Sequence, residues 1–336
     1  MCKKLMFREF SLKGSKTDMM KLVLCYMIVI LHTIGTDYIS PILRCAVPLF
    51  FMLSSYFIFG KISRCETLDE KQKALKGYVK RNLQLYLFWT LIFSPFIVLF
   101  RNWFDGGIIE GIPLMIRGIL FAGTFPASWY IIASVWGTIF IYYSSRYLPQ
   151  YVLWLICILC YVFCVLSSNY GMILEHCNTY EFYCNIFSNP YNSYPVSFIW
   201  IFLGKYLAEN KISMSNRKLV MLLSLSFIML LVEYVAISRL VCAVADDCYI
   251  FLVPFCYFLL LLIGRIECSK PSLLICRKIS TITYCSHLTI AFCLGSLLIY
   301  LFGWKSRLLI LLLTALCTLI LSSLILFFEK KNVLGG

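Results

Sequence analysis

The chain has 336 residues, of which 61% are hydrophobic and only 14% are charged, and its mean hydropathy is +0.85. Soluble domains are nearer half apolar and a quarter charged, so this composition excludes an ordinary soluble protein. The formal net charge of +14 suits a nucleic-acid-binding protein, but the distribution of the basic residues argues against a nucleic-acid partner and for a membrane topology.

Apolar segments of about 17 to 20 residues recur along the whole chain, which is the pattern of transmembrane helices. We therefore predict an all-α, multi-pass membrane protein with about ten spans, forming a single domain over residues 1–336. The predicted spans are 19–36, 42–60, 83–100, 127–145, 151–168, 195–208, 219–237, 249–264, 280–302 and 308–328.

The basic residues are divided unequally between the two sides of this topology. With both termini inside, 24 of the 30 Lys and Arg residues fall on the cytoplasmic side. The other side holds only Arg44, Arg101, Arg117, Arg239, Lys305 and Arg307. An excess of Lys and Arg marks cytoplasmic loops, so we predict a protein of the cytoplasmic membrane with both termini in the cytoplasm.

The first span carries three ionisable residues on one face of its predicted helix. The eleven steps from Lys21 to His32 return the side chain to within about 20° of its starting direction and separate the residues by roughly 16 Å. Asp18 falls about 40° away on the same face. Lys21 is therefore expected near a membrane surface, and His32 about half-way into the bilayer.

A histidine at that depth is costly unless it faces protein or a water-filled cavity, so His32 is a candidate functional residue. The alternative is a hydrogen bond to a neighbouring helix. Lys21 also has two possible roles, because it can bind an anionic group or pair with Asp18.

The second span opens with RCAVPLFFMLSSYFIFG. Pro48 is predicted about one turn into the helix, where its missing N–H is tolerated, while Ser54 and Ser55 allow another helix to approach closely. Arg44 lies where this span begins on the outer side. It can bind an anionic group of a substrate or anchor the helix to lipid headgroups.

The connection 61–82 reads as a basic amphipathic helix on the membrane surface. It leads into YVKRNLQLYLFW, which places Lys80 and Arg81 at the cytoplasmic end of the third span. The fourth span begins in PASWYIIASVWG, with Trp129 at the outer interface.

The ninth span opens with ISTITYCSHLTI, where His287 lies about two turns from the cytoplasmic end. His287 is within reach of the same cavity as His32 or has a packing role. His176 is expected to be solvated on an outer loop. Two cysteine pairs on the outer side, Cys177 with Cys184 and Cys242 with Cys248, are disulfide candidates if that compartment is oxidising. Most of the remaining cysteines, including Cys157 and Cys160, lie inside the predicted spans, where they act as small apolar residues, and we predict no metal.

Taken in order, these motifs resemble the acyltransferase-3 family of integral membrane O-acyltransferases. The first span matches the family's acid, base and histidine pattern, with Lys21 where many members have Arg. The second span matches its VPLFF segment, with Ser55 in place of the usual glycine. Further similarity lies at Arg81, at Ser128 to Tyr130, at Gly204, and at Ser280, Tyr284 and His287.

This resemblance implies the transfer of an acyl group, usually acetyl from acetyl-CoA, to a hydroxyl of a cell-envelope carbohydrate or lipid-linked glycan. His32 would act as general base or acyl carrier, with Asp18 in the catalytic set. The phosphates of acetyl-CoA would bind Lys21, Lys80 and Arg81. Residues assigned to the acceptor are Arg44, Trp129, Tyr284 and His287.

A transporter or flippase of lipid-linked sugars is the alternative, with His32 and Lys21 lining its path. Such a protein more often has internal repeats and ionisable residues spread over several mid-membrane positions. Here the ionisable residues within the spans are few, with Glu233 in the seventh span as the main exception.

Overall fold

The computed structural model describes residues 10, 12, 15–34, 39–174, 176–240, 243–266, 273–303 and 305–334, without the side chains of 99, 100 and 330–334. This part of the chain is helical and contains no strand, which confirms the predicted all-α class. Its α-helices are α1 Ser15–Ile34, α2 Ser40–Leu43, α3 Ala46–Ile62, α4 Leu68–Ile92, α5 Ser94–Arg101, α6 Ile108–Arg117, α7 Trp129–Tyr147, α8 Gln150–Ser167, α9 Asn178–Phe187, α10 Tyr194–Glu209, α11 Asn216–Leu240, α12 Leu252–Arg265, α13 Leu274–Phe302 and α14 Arg307–Leu334.

Among the described residues, six helical segments are long and apolar enough to cross a membrane. They are α1, the α2–α3 segment Ser40–Ile62, α8, α11, α13 and α14 up to Glu329. The other four predicted spans correspond to α4, α7, α10 and α12. Of these, α10 and α12 have only 16 and 14 residues, shorter than the roughly 20 that a perpendicular crossing requires. The protein is thus a multi-pass membrane protein, and the count of ten spans stays a prediction.

The third predicted span differs in its boundaries from the structure. Instead of a surface helix followed by a span, α4 runs without a break from Leu68 to Ile92. A capping box starts it, in which the Thr67 side chain accepts from the Glu70 backbone and Glu70 reaches back. The helix ends at Ile92, with Phe93 as its C-cap. Pro95 has no N–H to bond the carbonyl of Leu91 four residues earlier, so the helical hydrogen bonds are interrupted there.

The described residues form two compact units. The first contains Phe10, Val47–Thr124 and Ser128–Ile266, and the second contains Leu12–Ala46, Phe125–Ala127 and the described residues from 273 onward. In the first unit, α10 is the most buried helix and packs against α7 and α8. A side chain at Gly204 of α10 would collide with Ser55 of α3, so these helices approach closely, as predicted for the small residues of the second span.

In the second unit, α1 and α13 run side by side in the same direction. Three contacts occur in the same order along both helices: Asp18 with Arg277, the Cys25 thiol with the carbonyl of Ser280, and the ring of His32 with that of His287. Helices whose contacts follow in the same order must be parallel.

The last helix of this unit, α14, runs opposite to its two partners. Lys278 near the start of α13 forms an ion pair with Glu329 near the end of α14. At the other end, Arg307 in the first turn of α14 donates to the carbonyl of Ile34, the last residue of α1, at 3.0 Å. The second unit is therefore built around three helices, of which α14 is antiparallel to α1 and α13.

Candidate functional site

Two of the three histidines of the chain lie together in the second unit. The ring centroids of His32 and His287 are 5.7 Å apart, and the ring planes are inclined by 33°. His32 is exposed, whereas His287 is fully buried. His32 lies in the last turn of α1, which ends at Ile34, and α1 is continuous from Lys21 to His32. Their roughly 16 Å separation along the axis is therefore kept, while the depth of His32 in the bilayer stays a prediction.

The buried member of the pair is held by its own helix. Nδ1 of His287 lies 2.8 Å from the carbonyl oxygen of Tyr284 and 3.2 Å from that of Thr283. The Tyr284 ring is next to the His287 ring, at 6.0 Å between centroids. Its hydroxyl donates to the carbonyl of Ala127 at 2.9 Å. Of the two predicted residues of the ninth span, His287 thus lies beside His32, and Tyr284 lies beside His287.

Arg44 lies in the same unit as His32. It follows α2 directly, and α2 packs against α1, the helix that carries His32. Of the residues predicted to bind the acceptor, His287 lies beside the His32 ring, Tyr284 lies beside His287, and Arg44 follows α2 in the same unit. Each contributes a different group, namely a cation, a phenol and an imidazole.

Asp18 lies far from His32 and has a strong partner of its own. Fourteen residues along α1 separate the two by roughly 21 Å, so Asp18 does not touch the imidazole. Its buried carboxylate accepts from Nε of Arg277 at 2.9 Å. The sequence indicated Lys21 as a candidate partner of Asp18 and missed Arg277. One signal in the sequence could have indicated Arg277. It precedes His287 by ten residues, much as Lys21 precedes His32 by eleven.

The remaining predicted site residues belong to the first unit, except for Lys21, which is half-buried on α1. Lys80 and Arg81 are exposed on α4, and the Arg81 guanidinium lies over the ring of Tyr78, 5.8 Å from its centroid. Trp129 is the first residue of α7, and its ring packs near that of Phe51, with 6.2 Å between the ring centroids. Their roles in binding stay predictions.

The intramembrane carboxylate of Glu233 has a structural explanation. It accepts from the backbone N–H groups of Ile250 and Phe251 at 2.8 and 2.9 Å, and from the hydroxyl of Tyr170 at 3.4 Å. These N–H groups lie at the start of α12, where helices leave donors unsatisfied. Glu233 therefore caps a helix, a role that the sequence pattern did not indicate.

The remaining predictions concern His176 and the cysteine pairs of the outer side. His176 is exposed, as expected. Cys177 and Cys184 are both free thiols, so the structure does not contain that candidate disulfide. Cys242 lies outside the described residues. In the part of the chain that the structure describes, no three His, Cys, Asp or Glu side chains are grouped as metal ligands.

The helices and this site define a multi-pass, all-helical membrane protein with a pair of histidines between two parallel helices. The chain belongs to the acyltransferase-3 family, because the model of that family, described as an acyltransferase domain, matches residues 16–327. The resemblance seen in the ordered motifs is thereby confirmed. No solved structure gives a significant match to the chain.

Curated proteins with similar sequences include two from Enterococcus. An amino-acid racemase of Enterococcus faecalis is 26% identical over 337 residues, covering 95% of this chain and 47% of that protein. A serine/alanine racemase of Enterococcus gallinarum is 25% identical over 271 residues, covering 76% of this chain and 38% of that protein. The chain thus spans less than half the length of these relatives.

Proposed function

We propose that this protein transfers an acetyl group from acetyl-CoA to a hydroxyl of a cell-envelope carbohydrate, at the cytoplasmic membrane and with both termini in the cytoplasm. The observation that carries the proposal is the acyltransferase family match over residues 16–327. Lys21 in the second turn of α1, and Lys80 and Arg81 in the middle of α4, are cations that suit a polyanionic donor from the cytoplasm.

In this mechanism His32 is the general base. The acceptor oxygen attacks the thioester carbonyl while its proton moves to a ring nitrogen of His32. An O–C bond forms, the C–S bond breaks, and the imidazolium then gives the proton to the departing CoA thiolate. The exposure of His32 beside a buried second imidazole supports this role.

Arg44 supplies positive charge where the reaction develops negative charge. The carbonyl oxygen of the acyl group becomes anionic during attack, and a preorganised cation nearby stabilises it. Its position directly after α2, which packs against α1, supports this role as much as that of an anchor for an anionic acceptor. The structural role of Asp18, by contrast, is to hold α1 against α13 through Arg277.

The test uses the full chain reconstituted in lipid nanodiscs with acetyl-CoA and candidate acceptors. CoA release and the mass of the acetylated product are followed together, with envelope glycans from cells that have or lack the protein as a second readout. The relatives are named for amino acids, so L-serine is included, since its hydroxyl is of the same chemical class.

We expect His32→Ala to lower turnover by about 10²–10⁴-fold without loss of folded protein. The matched control is His176→Ala, which removes the exposed outer histidine. Normal turnover in His32→Ala would reject His32 as the base. Movement of a lipid-linked sugar across the membrane without release of CoA would favour a flippase instead.

A further inference from the structure

The Nε2 atom of buried His287 is a hydrogen-bond acceptor with a fixed direction. A backbone carbonyl only accepts, so the 2.8 Å contact with the Tyr284 oxygen requires the proton to be on Nδ1. In a neutral imidazole the other nitrogen then carries the lone pair. Although His287 is fully buried, its Nε2 has no hydrogen-bond partner among the described residues. A buried acceptor left in this state costs free energy, so a donor is expected there.

The Tyr284 hydroxyl does not supply this donor, because it already donates to the Ala127 carbonyl at 2.9 Å. The imidazole of His32 is the polar ring beside it, at 5.7 Å between centroids. Two imidazoles joined by an N–H···N bond of roughly 3 Å have centroids roughly 5 Å apart. A small rotation of the exposed His32 ring, or one bridging water, therefore completes the bond. Hydrogen bonds of this kind often tighten only when substrate binds.

We propose that His287 is a positioning residue for His32, whose inner ring N–H it accepts at Nε2. With that nitrogen protonated, the lone pair of His32 is on the outer nitrogen, where the acceptor hydroxyl gives up its proton. His287 itself neither gains nor loses a proton. This is the arrangement in which a base is oriented by a third group, with an imidazole in the place that a carboxylate often takes. The inference rests on the proposed function.

Two substitutions separate this role from simple packing. In His287→Asn the side-chain amide ends near the position of Nδ1, so it keeps the bond to the Tyr284 carbonyl and loses the acceptor that faces His32. In His287→Gln the longer amide places an oxygen near the position of Nε2, so an acceptor for His32 is kept. Positioning predicts that Gln rescues activity and Asn does not, whereas packing on α13 predicts the opposite order.

The experiment measures kcat, KM and the melting temperature of the full chain in nanodiscs, with ¹⁵N NMR of the histidine rings. We expect His287→Asn to lose about 10²-fold in kcat with KM nearly unchanged, and His287→Gln to stay within about tenfold of wild type. The NMR signals of His32 should report one tautomer in the wild type and in His287→Gln, and a mixture in His287→Asn.

The outcomes are distinguishable from failure of the proposed function. Wild-type kcat in His287→Asn, beside an inactive His32→Ala, would overturn this inference alone, as would greater activity in Asn than in Gln. An active His32→Ala would overturn both. If the protein transfers no acyl group to any acceptor, the NMR measurement still tests whether His287 orients the His32 ring. A His32 tautomer that is the same in His287→Asn as in the wild type would show that it does not.

Discussion

Asp18 and Arg277 lie 259 positions apart in the sequence and form an ion pair of 2.9 Å between α1 and α13. The carboxylate is fully buried and the guanidinium is half exposed. Because the carboxylate is shielded from water, loss of the guanidinium removes charge compensation from a buried group, which is costly. The pair therefore fixes the start of α13 against the start of α1, and with it the register that brings the two histidines together.

The first prediction follows from this pair. We expect Arg277→Ala to lower the free energy of unfolding by about 3 kcal/mol, near the lower limit for breaking a buried pair. Adding Asp18→Asn should recover part of the loss, because the buried charge is then gone. The control is Lys278→Ala, which breaks the neighbouring ion pair with Glu329. Both partners of that pair are half exposed, so its loss should lower the free energy of unfolding by less than about 1 kcal/mol. Thermal unfolding in detergent measures all four proteins, and equal losses at 277 and 278 would contradict the prediction.

A second prediction concerns binding of the donor. Arg81→Ala and Lys21→Ala should each weaken acetyl-CoA binding by about 10- to 100-fold, since one charge-assisted phosphate contact contributes roughly 1.5–3 kcal/mol. The effect should shrink with added salt. Arg146→Ala is the matched control, because Arg146 also lies over a tyrosine ring, 5.9 Å from the centroid of Tyr142. Calorimetry gives the affinities, and an unchanged affinity in Arg81→Ala removes Arg81 from the donor site.

The third prediction separates six membrane crossings from ten. Single cysteines at Glu70, Asp105 and Tyr180 are labelled with a membrane-impermeant reagent in whole cells. The ten-span topology places Glu70 inside and both Asp105 and Tyr180 outside. If only the six long segments cross, Asp105 is on the same side as Glu70. Labelling at 105 therefore decides whether α4 and its continuation span the bilayer, and protection at 180 would contradict both topologies.

The fourth prediction concerns a buried hydroxyl on α7. Thr138 is fully buried, and its Oγ1 has no hydrogen-bond partner among the described residues. Replacing it by the isosteric Val removes an unpaired polar atom, so stability should rise by about 1 kcal/mol. The same substitution at Thr318, whose hydroxyl donates to the Ala315 carbonyl at 3.0 Å, should lower stability by about 0.5–1.5 kcal/mol. A lower melting temperature for Thr138→Val would mean that a bound water or ligand uses this hydroxyl.

Local periodicity was sufficient to predict the face shared by Lys21 and His32, since it depends only on an unbroken helix, and α1 is unbroken. It was insufficient for the partners of that face. Arg277 and His287 reach α1 across more than 240 residues of intervening chain, and no spacing rule encodes which of the later helices packs there. The sequence therefore named both histidines without predicting that their rings would lie side by side.

The boundaries of α4 illustrate a different limit. A change from charged to apolar residues near position 83 was interpreted as the point where a surface helix ends and a span begins. Helix continuity, however, depends on backbone hydrogen bonds and not on polarity, and only Pro95 interrupts them. The same limit applies to α4, α7, α10 and α12, the four predicted spans that are not among the long apolar segments. Hydropathy measures the preference of a segment for lipid, and it does not tell whether the chain crosses the bilayer there.

The shared direction of α1 and α13 imposes a parity rule on the whole topology. Two spans that cross the bilayer the same way must be separated by an odd number of crossings. Three long apolar segments lie between them, which is already an odd number. The number of shorter helices that also cross the bilayer between them must therefore be even. Since α14 runs back beside both, the chain at the end of α14 returns to the membrane face from which α1 began. Six and ten crossings both satisfy this rule, whereas seven or nine would violate it.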